Sequence, residues 1–291
     1  MAVKWSRLAP QLALTPAITL AGLTFVGGSC WTIYLSFTAS RRFPDYAFAG
    51  FRQYQRLFKD GAWLTSLHNV VIFAFGSLAS IALGFVLAAM IDKETRGEGL
   101  FRTIFLYPLA VSLIVTGLVW RWLFNPDLGV EGFFHSMGWN WVQFNWLADP
   151  STVMYGIILA SVWQSTGFFM ALMLSGLKSI NVEIWRAAQL DGVPFWRLYF
   201  EVIIPMMKLT FLTCLILLSI GVVKAYDIVV AMTNAGPGDA SYLPGYFVIN
   251  AYWEKANLGY AAAAATIMLL MTLALFLPLV LLTAWRRRAA A

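Results

Sequence analysis

The stretch EIWRAAQLDGVPFWRLYFEVIIPMM, from Glu183 to Met207, interrupts an otherwise apolar chain with charged residues, small residues and two prolines. Read as a helix, it places Glu183, Ala187 and Asp191 on one side, because they recur at i, i+4 and i+8. Asp191-Gly192 predicts the end of that helix, since glycine adopts the left-handed conformation at little cost. The stretch therefore predicts a short polar helix, a turn, and a second amphipathic piece before the next apolar segment. An interfacial helix that lies on a membrane would show the same pattern.

The composition of the chain indicates a membrane protein. Of its 291 residues 60% are hydrophobic and 12% are charged, against about 25% charged residues in an average soluble domain. Six apolar segments are long enough to cross a bilayer, which takes about 20 residues. They cover residues 12–35, 67–91, 103–124, 153–174, 209–232 and 258–284. Since backbone polar groups must be satisfied within lipid, we expect six helices in an all-α fold. The prediction is one transmembrane domain over residues 1–291, with the polar stretch in a cytoplasmic loop at 178–208.

The distribution of Lys and Arg predicts the orientation. Twelve of them fall in segments on the side of the two termini and six on the other side, so the positive-inside rule places both termini in the cytoplasm. The first loop on the opposite side runs against this rule, because it alone holds Arg41, Arg42, Arg52, Arg56 and Lys59. Basic residues spread between apolar segments in this way also argue against a nucleic-acid-binding patch.

No enzyme active site or metal site is predicted. The two cysteines, Cys30 and Cys214, lie inside apolar segments without the spacing of a disulfide or a metal site. The two histidines, His68 and His135, are far apart along the chain. A Gly-x-x-x-x-Gly-Lys-[Ser/Thr] phosphate loop is absent from the sequence, so the chain is not expected to bind ATP or another cofactor itself.

The spacing of Glu183, Ala187-Ala188 and Asp191-Gly192 resembles the EAA loop of permeases from binding-protein-dependent ABC importers. Four further segments resemble the sugar-importing branch of that family, of the maltose and glycerol-phosphate type. They are FAGFRQYQRLFKD (48–60), YPLAVSLIVTGLVWRWLFNPDLG (107–129), YDIVVAMTNAGPG (226–238) and NLGYAAAAATIML (257–269). Two positions depart from the family pattern: Val193 stands where alanine is commonest, and Ala235 replaces the usual first glycine of a Gly-Gly-Pro sequence.

The resemblance implies a type I ABC importer permease fold in a bacterial or archaeal inner membrane. It implies that a coupling helix docks on a dimeric ATPase, which would use ATP and Mg²⁺, through Glu183, Ala187, Ala188, Asp191 and Gly192. The other implied partners are a second homologous permease subunit and an extracytoplasmic sugar-binding protein. The loops at 133–146 and 234–246 are candidates for contact with that binding protein.

Polar and aromatic side chains within the spans are the candidates for the substrate path, because such groups are unfavourable in lipid. They are Ser112, Thr116, Ser161, Gln164, Ser165, Phe168, Lys224, Tyr226 and Asp227. The resemblance matches Ser161, Gln164, Ser165 and Phe168 to sugar contacts of the maltose-type permease.

Structural roles remain open for several of these candidates. Serine and threonine often mediate contacts between membrane helices. Lys224 and Asp227, at i and i+3 of a helix, would neutralise each other as a structural pair. Arg121, at the end of the third segment, can extend to the interface. The sequence does not choose among sugars.

Two other classes of membrane protein compete with an ABC permease. One is a secondary transporter driven by an ion gradient, which is disfavoured because Asp227 is the one carboxylate deep in a span and no inverted repeat is visible. The other is a polytopic membrane enzyme, disfavoured by the lack of a His, Cys or carboxylate cluster near the interface.

Overall fold

The fold is all-α, as predicted. The computed structural model describes residues 14–92, 97–141 and 143–289, without the side chains of residues 98 and 275–289. No strand occurs in these ranges, only an isolated bridge between Thr38 and Phe48. The helices are α1 (Leu14–Ser36), α2 (Arg52–Leu57), α3 (Gly61–Ile91), α4 (Glu98–Ala110), α5 (Leu113–Leu123), α6 (Val130–Ser136), α7 (Val153–Lys178), α8 (Val182–Leu190), α9 (Phe195–Met206), α10 (Lys208–Val223), α11 (Asp227–Met232), α12 (Pro244–Trp253) and α13 (Leu258–Ala289).

Three of these helices, α1, α3 and α7, are long and apolar enough to cross a membrane by themselves. Two bent pairs raise the number to five if each pair is one span: α4 meets α5 at 96°, and α9 meets α10 at 70°. The apolar part of α13 within the described side chains, Leu258–Ala274, is shorter. Two predicted segments are thus not single helices. The third is divided at Val111–Ser112, and the fifth is interrupted at residues 224–226.

The described residues form two compact units. The first contains residues up to Trp63 together with Phe247–Ala274. Here the loop after α1 covers the beginning of α13: the Leu258 and Gly259 N–H groups donate to the Arg41 and Ser40 carbonyl oxygens at 2.8 and 2.9 Å. These bonds satisfy amide groups that a helix leaves without partners at its first turn.

Gly259 is required at this contact by the close approach of two backbones. A Cβ atom there would lie 2.6 Å from the Thr38 carbonyl oxygen, which also accepts a 3.1 Å hydrogen bond from Gln53. An added methyl group would therefore separate the loop from α13.

Tyr260, the next residue, links the start of α13 to Asp60. Its hydroxyl donates to the Asp60 carboxylate at 2.7 Å, and the Lys255 ammonium lies 3.7 Å from the same oxygen. The Arg56 guanidinium lies over the Tyr260 ring, 4.7 Å from its centroid. Burial alone would raise the pKa of Asp60, but the hydrogen bond from Tyr260, the charge of Lys255 and two backbone N–H groups lower it below its ordinary value.

The second unit, made of the described residues within 64–246 and 275–289, is built around α7. Helices α4, α5, α10 and α11 all contact it. The contact with α4 is close enough that a Cβ atom on Gly167 would overlap the Phe105 carbonyl oxygen, at 1.9 Å. In the same unit Asn69 of α3 donates to the Ala240 and Tyr242 carbonyl oxygens at 2.7 and 3.0 Å, which holds the loop before α12.

Replacing Gly259 by alanine should destabilise the first unit, because the new methyl group meets the Thr38 carbonyl. We expect the free energy of unfolding to fall by about 1–3 kcal/mol, as for other overpacked sites, with a lower apparent melting temperature in detergent. Gly28→Ala in α1 is the matched control, since a Cβ atom there has no neighbour within 4 Å. Equal melting temperatures for the two variants would contradict the assignment.

Candidate functional site

A cavity of about 660 Å³ lies in the second unit, a volume usual for small-molecule sites. It is formed by α3, the junction of α4 and α5, α7, and the gap between α10 and α11. Seven of the nine candidate substrate residues line it: Ser161, Gln164, Ser165, Phe168, Lys224, Tyr226 and Asp227. Ser112 and Thr116 are not among its lining residues.

The junction between α4 and α5 forms one wall and depends on Gln164. After Pro108, helix α4 ends and Val111 adopts an extended conformation, so its carbonyl leaves the helical hydrogen-bond ladder. The Gln164 side-chain amide donates to that carbonyl at 2.9 Å, and Gln164 is only 7% exposed. Ser112 caps α5 by accepting the Val115 N–H at 3.3 Å. Gln164 thus has a structural bond in addition to its place on the wall.

Within the described part of the chain, two buried hydroxyl groups of the wall have no hydrogen-bond partner. Ser77 and Ser161 are 5% and 8% exposed, and both line the cavity. A buried polar group without a partner is unfavourable by about 1–3 kcal/mol, so these hydroxyls are suited to a ligand that carries donors and acceptors. Sequence reasoning missed Ser77, because one serine in a long apolar helix gives no pattern. Thr116 is also buried, with no described partner for its hydroxyl, but it is not one of the lining residues.

Lys224 and Asp227 do not form the helical pair considered from sequence. Helix α10 ends before Lys224 and α11 begins at Asp227, with Ala225 and Tyr226 between them. Both charged side chains are exposed, and the ion pairs described for this structure include none between them. The interruption presents both charges to the cavity.

The polar stretch that opened the sequence forms helix α8, which is capped at both ends. Asn181 precedes it and accepts the Glu183 N–H at 3.0 Å. At its other end the Val193 N–H donates to the Ala188 carbonyl at 3.0 Å, and Gly192 takes the left-handed conformation with φ of 64°. This is the Schellman arrangement, which the Asp-Gly pair predicts.

The two alanines of α8 differ in their surroundings. Ala187 is exposed, together with Glu183, whereas Ala188 is buried against the protein. Beside them Leu190 is 89% exposed and Trp196 is also largely exposed. Glu183, Ala187 and Leu190 therefore belong to an outward surface with both charge and apolar area, and Ala188 does not.

An aromatic contact joins α8 to α9. The buried Tyr199 ring of α9 lies with its centroid 5.8 Å from that of Trp185 in α8. The Phe195 ring, 4.3 Å from that of Tyr199, belongs to α9 itself.

The loop before α12 shows why glycine is usual at the position of Ala235. This residue has φ of 67°, in the left-handed region where glycine is strongly favoured. The loop is held in place by Ser241, whose hydroxyl donates to the Gly236 carbonyl at 2.7 Å, and by Tyr246, whose hydroxyl donates to Asn234. Glycine is thus the residue that this backbone shape prefers, and Ala235 occupies it with strain.

The other candidate loop, 133–146, is organised by Glu131. Its carboxylate accepts the Phe144 N–H at 2.8 Å, and the rings of Phe134 and Trp139 stack with centroids 5.3 Å apart.

Comparison with known proteins identifies the family. The model of the family described as "binding-protein-dependent transport system inner membrane component" matches residues 80–289, which include the whole cavity wall from α4 onward and all of α8. The chain belongs to this family. A probable ABC transporter permease of Pyrococcus horikoshii is 37% identical over 273 residues, covering 92% of each chain. A trehalose/maltose transport system permease of Thermococcus litoralis is 28% identical, covering 95% of this chain and 93% of its own.

A solved structure shows the same fold. A bacterial alginate ABC transporter, crystallised with an alginate pentasaccharide-bound periplasmic protein, aligns with a TM-score of 0.79 at 18% identity, covering 95% of this chain and 94% of its own. The family match and the Pyrococcus relative make the protein an inner-membrane ABC importer permease, a transport subunit. This confirms the family and fold predicted from sequence and does not support the secondary transporter or the membrane enzyme.

Replacing Gln164 by leucine in this permease should destabilise it, because the Val111 carbonyl loses its donor within the membrane. We expect a loss of about 1–3 kcal/mol, measured as a lower melting temperature in detergent. Ser165→Ala is the control, since it removes a polar group from the same wall without affecting that bond. Equal stability of both variants would show that the Gln164 bond is not structural.

Proposed function

We propose that this permease forms half of the translocation path of an ATP-driven sugar importer, with the cavity as its part of the sugar site. The main support for the proposal is that seven of the candidate substrate residues line one cavity in a chain of this family. The trehalose/maltose relative supports a sugar as the transported solute.

The chemistry of the wall suits a sugar. Ser77, Ser161 and Ser165 offer hydroxyls that both donate and accept, which matches the hydroxyls of a sugar. Phe168 offers a ring face of the kind on which a sugar ring lies. Lys224 and Asp227 add a charged donor and a charged acceptor, and hydrogen bonds to charged groups are the stronger ones.

The coupling proposal assigns the outward surface of α8 to the ATPase. Glu183 would pair with a basic residue there, and Ala187 would allow close approach. Asp191 and Gly192 end the helix, and Ala188 seats it on its own subunit. Closure of an ATPase dimer that binds ATP and Mg²⁺ would move α8, and with it α9, as a rigid body. This chain would contribute no cofactor or metal site of its own.

The assembly would contain two further components. A second homologous permease would complete the path, and the extracytoplasmic binding protein would deliver the sugar to the loops at 133–146 and 234–246. Both termini would lie in the cytoplasm, as the twelve-to-six distribution of basic residues supports.

The coupling proposal is tested at Gly192, where a β-branched residue is strained in the left-handed conformation. Gly192→Val should insert normally but lose solute-stimulated ATP hydrolysis in the reconstituted complex, because the end of α8 is distorted. Gly192→Asn is the control, since asparagine tolerates this conformation and should retain most of the activity. Full stimulation in the valine variant would exclude the proposed role.

The sugar site is tested at Gly221, which lines the cavity and where a Cβ atom would meet nothing within 4 Å. Gly221→Phe should fill the cavity without disturbing the fold and reduce uptake by about tenfold or more, the discrimination typical of an occupied pocket. Gly221→Ala should leave uptake nearly unchanged. Unaltered uptake by the phenylalanine variant, measured in proteoliposomes with the complete importer, would place the sugar elsewhere.

A further inference from the structure

The end of α1 carries the marks of a membrane–water interface. Trp31 and Tyr34 lie in its last turns and form a partly exposed aromatic cluster with Tyr46 of the following loop, with centroids 6.0–6.4 Å apart. Tryptophan and tyrosine concentrate at the headgroup level of membrane proteins. This cluster therefore marks where α1 leaves the hydrocarbon.

Helix α2 is fastened at that same level. The hydroxyls of Ser36, the last residue of α1, and Tyr54 of α2 are 2.6 Å apart. The ring of Phe37 lies 5.3 Å from that of Phe51 and 5.4 Å from that of Tyr54. These contacts hold α2 against the end of the span rather than above it in water.

Exposed basic and aromatic side chains lie on α2 and at its two ends. Arg52 and Arg56 of α2 and Lys59 in the turn that follows it, here called the basic stripe, are all exposed. Phe51 and Phe58, which flank the helix, are exposed as well. Basic and aromatic side chains close together are typical of a segment that lies in the interface of an anionic membrane.

The charges of the basic stripe are available to a ligand. The stripe lines an open hollow of about 480 Å³ together with Gln55 and Asp60. Asp60 does not neutralise it, because that carboxylate is engaged by Tyr260 and Lys255. The ion pairs described for this part of the chain involve none of the three basic residues of the stripe.

We propose that the basic stripe binds the phosphate groups of anionic phospholipids in the leaflet where α1 ends. Guanidinium groups suit phosphate oxygens because they donate two parallel hydrogen bonds. With the orientation proposed above, this is the extracytoplasmic leaflet, and lipid binding gives a reason for the basic residues that run against the positive-inside rule. An acidic protein surface would satisfy the charge, but the interfacial level and the exposed phenylalanines favour lipid.

The test compares lipid binding by the full chain and its variants, with native mass spectrometry of protein in neutral detergent. Phosphatidylglycerol and phosphatidylcholine with the same acyl chains are titrated separately. The wild type should prefer phosphatidylglycerol, and Arg52→Gln/Lys59→Gln should lower that preference by about 30-fold, at roughly fivefold for each charge near the surface. These two positions leave the contact between Arg56 and Tyr260 intact.

Two variants serve as controls. Arg41→Gln/Arg42→Gln removes the same charge from the same loop but outside the stripe, and should keep the preference. Arg52→Lys keeps the charge and leaves Arg56 over Tyr260, so it should lose less of the preference than Arg52→Gln, with melting temperatures confirming that each variant is folded. The proposal is overturned if the wild type shows no preference, if the stripe variant keeps it, or if the Arg41/Arg42 variant loses it equally.

Two further measurements distinguish a lipid from other ligands of the basic stripe. Glycerol 1-phosphate displacing phosphatidylglycerol at equal concentration would identify a site for soluble phosphates instead of lipids. Weaker docking of the extracytoplasmic binding protein to Arg52→Gln/Lys59→Gln, with lipid preference unchanged, would identify a protein-binding surface and also overturn the proposal.

Discussion

A peptide carbonyl within a lipid bilayer has no water to bind, so any break in a membrane helix needs another partner for the freed group. The permease meets this constraint at Val111, where the amide of Gln164 replaces the missing backbone donor. The second break, at residues 224–226, lies against the same cavity. Irregular backbone is tolerated at membrane depth where it lines a cavity, and both interruptions follow that rule. The position of the cavity is thus tied to where the helices are broken.

A small number of local contacts also defines helix α8. Asn181 and Gly192 cap it at both ends, and its Trp185 contacts Tyr199 of the helix that follows. Movement of a short, doubly capped helix is not absorbed by fraying of its ends. Exposed Glu183 and Leu190 show which side is free for a partner, and buried Ala188 shows which side is not.

The sequence predicted the all-α membrane fold, the family and the end of α8 at Gly192, because apolar length and left-handed glycine leave strong local patterns. It did not predict the break at Val111, although Pro108 lies just before it, because prolines are often accommodated within membrane helices. The role of Gln164 as donor to a carbonyl 53 positions away in the chain depends on tertiary contact. Ser77 was missed for the same reason, since its place on the cavity wall follows from how α3 packs. Ser112 was predicted to line the substrate path, and its described contact is a helix cap.

Gln164 both lines the cavity and holds the Val111 carbonyl, whereas other residues of the wall only line the cavity. The two kinds of residue are expected to change differently during evolution. A change at Gln164 alters the framework as well as the lining, so drift at that position is constrained by folding whatever the solute. Ser165 and Lys224 line the cavity without a described hydrogen bond to the framework. Under the proposed function they are the positions where a change affects the solute contact with the smallest effect on the fold. Among relatives that transport different solutes, the neighbouring wall residues should therefore differ more often than Gln164 does.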